Sequence, residues 1–288
     1  MSKQDYRPAT QLVHQGQDRD PATGAATVPI YQASTSHHAG GTPGEYDYAR
    51  SGNPSREQVE DAIALLEGGT RGFAYASGMT AIGSALALLE SGDHLIASAD
   101  LYGGSWRFIT GVLPQQGISC TLVDTADPQA VKAAITPQTR ALFLETPSNP
   151  LFRITDLRAM VEIAGQHDLL TMLDNTFMTP LLQRPLDLDI DVTIHSATKF
   201  LGGHSDILAG LVSVSDNALG KRLKYFQNAF GAGLSPFDSF LLSRGIKTLK
   251  VRLDAAQSST GELAQRLIQH PAIGRVWYPG LDNFAGRE

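Results

Sequence analysis

Short apolar runs alternate with helical stretches along most of this chain, and that alternation strongly limits the possible folds. The runs cover residues 72–76, 94–97, 118–123, 141–144, 169–173 and 192–195. Strands that alternate with helices form mostly parallel sheets with helices on both faces. We therefore predict an α/β fold with a doubly wound sheet. Another run, at residues 207–214, follows closely enough to predict a seventh strand and a mixed sheet.

The segments that flank this alternating region have a different pattern. Residues 1–54 contain five prolines and many glycines, which predicts an extended arm outside the core. A helix is predicted from Ser55, because Ser55 and Gln58 form a capping box, and Gly68 ends it. A long helical pattern follows at residues 246–268. We divide the chain into an arm (1–54), a large domain (55–245), and a linker helix with the start of a C-terminal domain (246–288).

Charge and composition exclude several functional classes. The 23 basic and 29 acidic residues among 288 give a net charge of −6, which argues against a nucleic-acid partner. The charged fraction, 18%, is below the usual ~25% and indicates surface buried between subunits. One cysteine, Cys120, excludes an intramolecular disulfide and a multi-cysteine zinc site. With no apolar leader and no run near ~18 apolar residues, we expect a cytoplasmic protein without membrane contact.

Polar residues follow the predicted strands, where open α/β sheets bind their ligands. Lys199 is the most informative, because it alone among seven lysines follows a strand. Small neighbours such as Ser196 and Gly202 leave room for a cofactor beside its amine, which a partly desolvated pocket keeps neutral for Schiff-base chemistry. The cofactor that combines a lysine linkage, an acidic partner and a phosphate is pyridoxal 5′-phosphate (PLP).

The other strand-end residues have chemistry that suits PLP. Asp174 is positioned to hold the ring nitrogen protonated, and Tyr102 to stack on the ring. Five residues are candidates for the phosphate, three because they open a predicted helix and two through their hydroxyls: Ser77, Gly78, Met79, Ser196 and Thr198. Each residue also has an ordinary structural interpretation, as a helix cap or a surface residue. We interpret Asp124 as such a cap.

These residues lie in motifs that resemble the Cys/Met-metabolism family of PLP enzymes. Lys199 stands in His195-Ser-Ala-Thr-Lys199-Phe-Leu-Gly-Gly-His204. The accompanying motifs are Tyr48-Ala-Arg50-Ser-Gly-Asn-Pro54, Ser77-Gly78-Met79, Asp100-Leu-Tyr102-Gly-Gly104, Glu145-Thr-Pro-Ser-Asn149-Pro and Asp174-Asn-Thr176. The resemblance runs from about residue 10 to 281, nearly the whole chain.

The resemblance implies a fold-type I PLP enzyme with PLP bound covalently to Lys199, which would also move the substrate's Cα proton. It implies that Asn149 lies near the ring hydroxyl. Tyr48 and Arg50 would reach the phosphate of the neighbouring subunit, so the arm would contact that subunit in a dimer of dimers. It assigns Tyr102 and Tyr48, with Lys199, to the catalytic residues.

The resemblance also bears on the reaction. Gly104 stands where methionine γ-lyases carry a cysteine, and residues 100–108 and 227–250 look most like bacterial cystathionine β-lyases. This implies β-elimination on a small sulfur amino acid, cystathionine, giving homocysteine, pyruvate and ammonia. The alternatives are γ-lyase, γ-synthase, and a PLP-binding protein without turnover. No arginine matches the family's ligand for the substrate carboxylate, which lies in a C-terminal domain, so we expect a fragment or a shortened relative.

Overall fold

The computed structural model describes residues 6–15, 20, 23–38 and 44–286. Its centre is a seven-stranded sheet with the order β1-β7-β6-β5-β4-β2-β3. The strands are β1 Arg71–Tyr75, β2 His94–Ser98, β3 Ser119–Val123, β4 Thr139–Glu145, β5 Leu170–Asp174, β6 Val192–Ser196 and β7 Gly210–Val214. All seven predicted strands are confirmed, with small shifts at their ends.

β7 makes the sheet mixed, as predicted. It is antiparallel to both of its neighbours, β1 and β6, whereas the other strand pairs are parallel. A parallel return needs a crossover of a dozen or more residues, usually with a helix. The connection at 197–209 contains no helix, so the chain turns back beside β6. This connection carries Lys199 at the edge of the sheet.

Helices cover both faces of the sheet. In the described part of the chain they are α1 Pro8–His14, α2 Pro54–Glu67, α3 Gly78–Leu86, α4 Gly103–Arg107, α5 Pro128–Ala133, α6 Leu157–His167, α7 Thr179–Leu182, α8 Asn217–Phe230, α9 Pro236–Lys247 and α10 Leu249–Ile268. Successive side chains of a strand pack against opposite helical layers. Phe143 belongs to a hydrophobic cluster with residues of α3, whereas Leu142 and Leu144 belong to a second cluster with residues of α6. The doubly wound prediction is confirmed.

The predicted capping box of α2 is wrong, although the helix is present. The N-cap is Asn53, whose Oδ1 accepts hydrogen bonds from the N–H groups of Ser55 and Arg56. Pro54 occupies the first helical turn, where its missing N–H costs nothing. Ser55 uses its hydroxyl on the preceding segment instead, accepting from Tyr31 N and donating to Pro29 O. Gly68 ends the helix at φ +75°, as expected.

The two ends of the chain also differ from expectation. Part of the predicted arm lies outside the described residues, but α1 is helical and its Leu12 is fully buried in the cluster formed with α2 and α9. A seven-residue helix has too few periodic positions to stand out in the sequence. The pattern at 246–268 is two helices separated at Thr248. The predicted domain boundary at 245 falls inside α9.

None of the helices in the described ranges combines the length and hydropathy that a membrane span requires.

Leu12→Ala tests how α1 is anchored. Removing this fully buried side chain leaves a cavity, and we expect the free energy of unfolding to fall by about 2–4 kcal/mol in urea titrations. The neighbouring Val13 is 44% exposed, so Val13→Ala is the control and should change stability by less than about 1 kcal/mol. Equal losses in the two variants would contradict the packing of α1 on the core.

Candidate active site

A cavity of about 1200 Å³ lies at the carboxyl ends of β4, β5 and β6, beside the N-terminus of α3. Nine of the eleven predicted site residues line it: Ser77, Gly78, Met79, Tyr102, Asn149, Asp174, Ser196, Thr198 and Lys199. The other two, Tyr48 and Arg50, lie elsewhere. The topology therefore brings residues more than 100 positions apart in the chain to one edge of the sheet.

The N-terminus of α3 forms a wall of the cavity with unpaired backbone donors. Ser77 is its N-cap and accepts a hydrogen bond from Thr80 N at 3.1 Å, while the N–H groups of Gly78 and Met79 have no partner within the helix. A Cβ at Gly78 would lie 2.8 Å from Ser196 Cβ, so only glycine allows α3 this close to the end of β6. Free N–H groups and the helix dipole suit a phosphate here.

Asp174 is a buried carboxylate at the end of β5. It is 7% exposed, and its Oδ1 accepts from the backbone N and the hydroxyl of Thr176 at 3.1 and 2.6 Å. Burial raises the pKa of Asp174, and the two Thr176 hydrogen bonds and the nearby His195 oppose that rise. A buried carboxylate of this kind favours a cationic partner.

The Lys199 segment is held by its own backbone. Lys199 N donates to Ser196 O, and Gly203 N donates to Lys199 O. The Lys199 side chain is exposed, so the chain alone does not provide the desolvation expected from the sequence. The Thr198 hydroxyl, predicted as a phosphate donor, bonds to the backbone of Ala209.

Arg252 of α10 fixes the backbone of the Lys199 segment through hydrogen bonds. Its guanidinium donates to Phe200 O at 2.7 Å, to Gly245 O at 2.9 Å and to the Thr248 hydroxyl at 3.0 Å. It also lines the cavity. Arg252 was not predicted, because nothing in a helical sequence pattern indicates which arginine will turn inward.

Glu145, at the end of β4, is a second cavity residue absent from the predicted set. Its Oε2 accepts from Tyr102 N at 2.9 Å and so holds the loop of Tyr102, whose side chain is 44% exposed. The N–H of Asn149 also bonds to Glu145. Burial, aided by the charges of Asp174 and Asp100, raises the pKa of Glu145 to about 8. Its place directly at a strand end was a signal that the prediction did not use.

Tyr48 and Arg50 do not line the cavity. Tyr48 is 41% exposed, and the Arg50 guanidinium lies 5.2 Å from the centre of its ring. Arg50 donates to Asn228 O at 2.8 Å, near the end of α8. That helix exposes Tyr225 and Phe230, which are 70% and 62% exposed.

The cavity residues fit PLP on the chemistry of their donors and acceptors. The α3 N-terminus suits the phosphate, the Asp174 carboxylate suits the protonated ring nitrogen, and the Lys199 amine suits the aldehyde. The close approach at Gly78 places the N-terminus of α3 beside β6, the strand that precedes Lys199.

The comparisons agree with this class of site. The model of the family described as "Cys/Met metabolism PLP-dependent enzyme" matches residues 9–288. The chain belongs to this family of PLP-dependent enzymes.

Several curated relatives are cystathionine enzymes. The cystathionine β-lyase MetC of Bacillus subtilis is 52% identical over 289 residues, which cover 100% of this chain and 74% of the relative. The cystathionine γ-lyase of the same organism is 45% identical, covering 97% of this chain and 74% of the relative. Among solved structures, the cystathionine γ-lyase of Lactobacillus plantarum complexed with L-serine is 47% identical with a TM-score of 0.95, covering 97% of this chain and 74% of that one.

Glu145→Gln tests the buried carboxyl group. Because the pKa of Glu145 is raised from 4.5 to about 8, the folded protein binds more protons than the unfolded chain across that interval, and stability falls as pH rises. Between those pH values, the free energy of unfolding of the glutamine variant should fall by about 1–3 kcal/mol less than that of the unchanged protein. Urea titrations at both ends of the interval measure this. The control is the exposed Glu162→Gln; a Glu145→Gln profile parallel to the unchanged protein would contradict the assignment.

Proposed function

We propose that this chain is a PLP-dependent carbon–sulfur lyase that cleaves cystathionine by β-elimination. The observation that carries the proposal is the arrangement of Lys199, the buried Asp174 and the α3 N-terminus around one cavity, in a chain 52% identical to a cystathionine β-lyase. The products would be homocysteine, pyruvate and ammonia.

Each cavity residue has a proposed part in holding the cofactor. Asp174 accepts a hydrogen bond from the protonated ring nitrogen, and Tyr102 stacks on the ring face. Asn149 lies near the ring hydroxyl. The phosphate is held by the residues at the start of α3 and by two hydroxyls at the end of β6: Ser77, Gly78, Met79, Ser196 and Thr198. For Thr198 this requires exchange of its bond to Ala209.

Lys199 has two proposed roles. Its Nζ would hold PLP through a covalent link, and once displaced by the substrate amine the same Nζ would take the Cα proton. Bound PLP supplies an electron sink for the electrons left on Cα. In β-elimination the electrons of the Cβ–S bond would leave with homocysteine as its thiolate, and one water would be consumed in the release of pyruvate and ammonia. The hydrogen bonds at Ser196 O and Gly203 N keep Lys199 in the cavity wall.

Tyr48 and Arg50 are proposed to complete the cavity of a second copy of the chain. They are exposed, and they lie beside a helix end that also exposes Tyr225 and Phe230. An exposed arginine and tyrosine next to apolar side chains suit an interface that contributes phosphate ligands. A dimer would then be the smallest active unit, and a cytoplasmic dimer of dimers is the proposed assembly.

A second reaction is supported by relatives named for it. A cystathionine γ-lyase is 45% identical, and a cystathionine γ-synthase/O-acetylhomoserine (thiol)-lyase of Bacillus subtilis is 48% identical over 272 residues. The product of the reaction on cystathionine distinguishes the candidates. Pyruvate supports β-elimination, 2-oxobutyrate supports γ-elimination, and replacement of an activated homoserine ester by cysteine supports γ-synthesis.

Lys199→Ala tests the covalent link and the proton transfer together. We expect loss of the visible absorption band of lysine-linked PLP and a fall in pyruvate release of at least about 10³-fold, because both roles of the amine disappear. Lys132→Ala, at an exposed lysine, is the control and should keep both signals. A band that persists in Lys199→Ala would sink the assignment. If the unchanged chain shows the band but releases neither pyruvate nor 2-oxobutyrate and carries out no γ-replacement, the result would support PLP binding without turnover.

Mixing two inactive variants tests the shared site. Arg50→Ala and Lys199→Ala should each be inactive alone, but a mixed dimer holds one site with Lys199 and the other subunit's Arg50 both intact. Unfolding and refolding an equal mixture should restore activity to about a quarter of the sites. Activity that stays at the sum of the separate variants would show that Arg50 serves its own subunit or no site at all.

A further inference from the structure

A fully buried carboxyl–imidazole pair lies behind the cavity, and the proposed reaction does not use it. His195 Nε2 and Glu67 Oε1 are 2.5 Å apart, and both side chains are 0% exposed. Glu67 is the last residue of α2, and His195 lies in β6. The pair therefore joins the end of α2 to the strand that leads to Lys199.

This pair is a poor choice for stability alone. Within the described residues, His195 Nδ1 and Glu67 Oε2 are buried without hydrogen-bond partners. Burying an ion pair costs desolvation that its attraction rarely exceeds, and apolar residues of similar volume are often as stable. Buried polar atoms left unsatisfied point to a role other than packing.

Asn175 connects the pair to Asp174. Asn175 follows Asp174 directly, and its side-chain amide donates to Glu67 Oε1 at 3.2 Å. The same amide donates to Gln183 O, and Gln183 Nε2 donates back to Asn175 Oδ1, both at 2.9 Å. Asn175 N donates to Ile194 O at 2.8 Å. The amide is thus fixed from three sides, and it holds Glu67 against the turn after Asp174.

The charges in this region agree with the geometry. Burial raises the pKa of Asp174, and the charge of His195 opposes that rise.

We propose that Glu67 and His195 are positioning residues for Asp174: the pair holds the side-chain amide of Asn175, and that amide fixes the turn that places the Asp174 carboxylate for the ring nitrogen of PLP. The inference rests on the proposed PLP site. Neither residue touches the cofactor or the reacting atoms; both act through Asp174.

A double-mutant cycle on PLP binding tests this role. The dissociation constant of PLP is measured by fluorescence for the unchanged chain, His195→Gln, Asp174→Asn and the double variant. If His195 acts through Asp174, His195→Gln should weaken PLP binding about ten-fold in the unchanged chain. In the Asp174→Asn background it should weaken binding less than about two-fold. Equal factors in both backgrounds, or no change in either, would overturn the inference.

Nitrogen NMR of PLP enriched at the ring nitrogen gives a signature that a packing defect does not imitate. His195→Gln and Glu67→Gln should both move the ring-nitrogen signal toward its unprotonated position, as Asp174→Asn does. Thr193→Val, a buried change on the same strand, is the control and should leave the signal in place. A protonated signal in both Gln variants would also overturn the inference.

The two variants keep the inference testable if one does not fold, since Glu67→Gln weakens the acceptor of the Asn175 amide without altering His195. Failure of the unchanged chain to bind PLP would overturn the proposed function and this inference together. Binding by the unchanged chain with additive effects of His195→Gln and Asp174→Asn would overturn only the inference.

Discussion

The candidate site depends on how closely three backbone segments approach one another at the carboxyl edge of the sheet. A Cβ at Gly78 would lie 2.8 Å from Ser196 Cβ, and a Cβ at Gly210 would lie 2.1 Å from Ser77 O. Because Gly78 and Gly210 carry no side chains, the N-terminus of α3 packs against the end of β6 and the start of β7. A methyl group at either position would push the helix away from the strands and separate the α3 N-terminus from the lysine segment.

The sheet and most of the cavity could be predicted because they depend on local pattern and on topology. Buried parallel strands appear as apolar runs, and their carboxyl ends meet at one edge whatever the details of packing. Lys199 and Asp174 each follow such a run, so their shared edge was predictable. Their roles rest on chemistry and on the family resemblance, not on the sheet.

The features that the sequence did not predict depend on contacts between distant parts of the chain. Ser55 resembles an N-cap in sequence, but Tyr31 and Pro29 engage its hydroxyl and Asn53 takes the cap. Arg252 and Glu67 look like ordinary helix residues until the fold turns them inward. Glu145 differs, because its place at a strand end was visible and only its raised pKa required the structure.

The bracing of the lysine segment by Arg252 has a mechanical consequence. One planar, rigid guanidinium joins the backbone at Phe200, the end of α9 at Gly245 and the Thr248 hydroxyl between α9 and α10. Because its donors are fixed relative to one another, a rotation of α10 cannot keep all three bonds at their present lengths. A movement of the far end of this 20-residue helix therefore shifts the backbone at Phe200, one residue from Lys199.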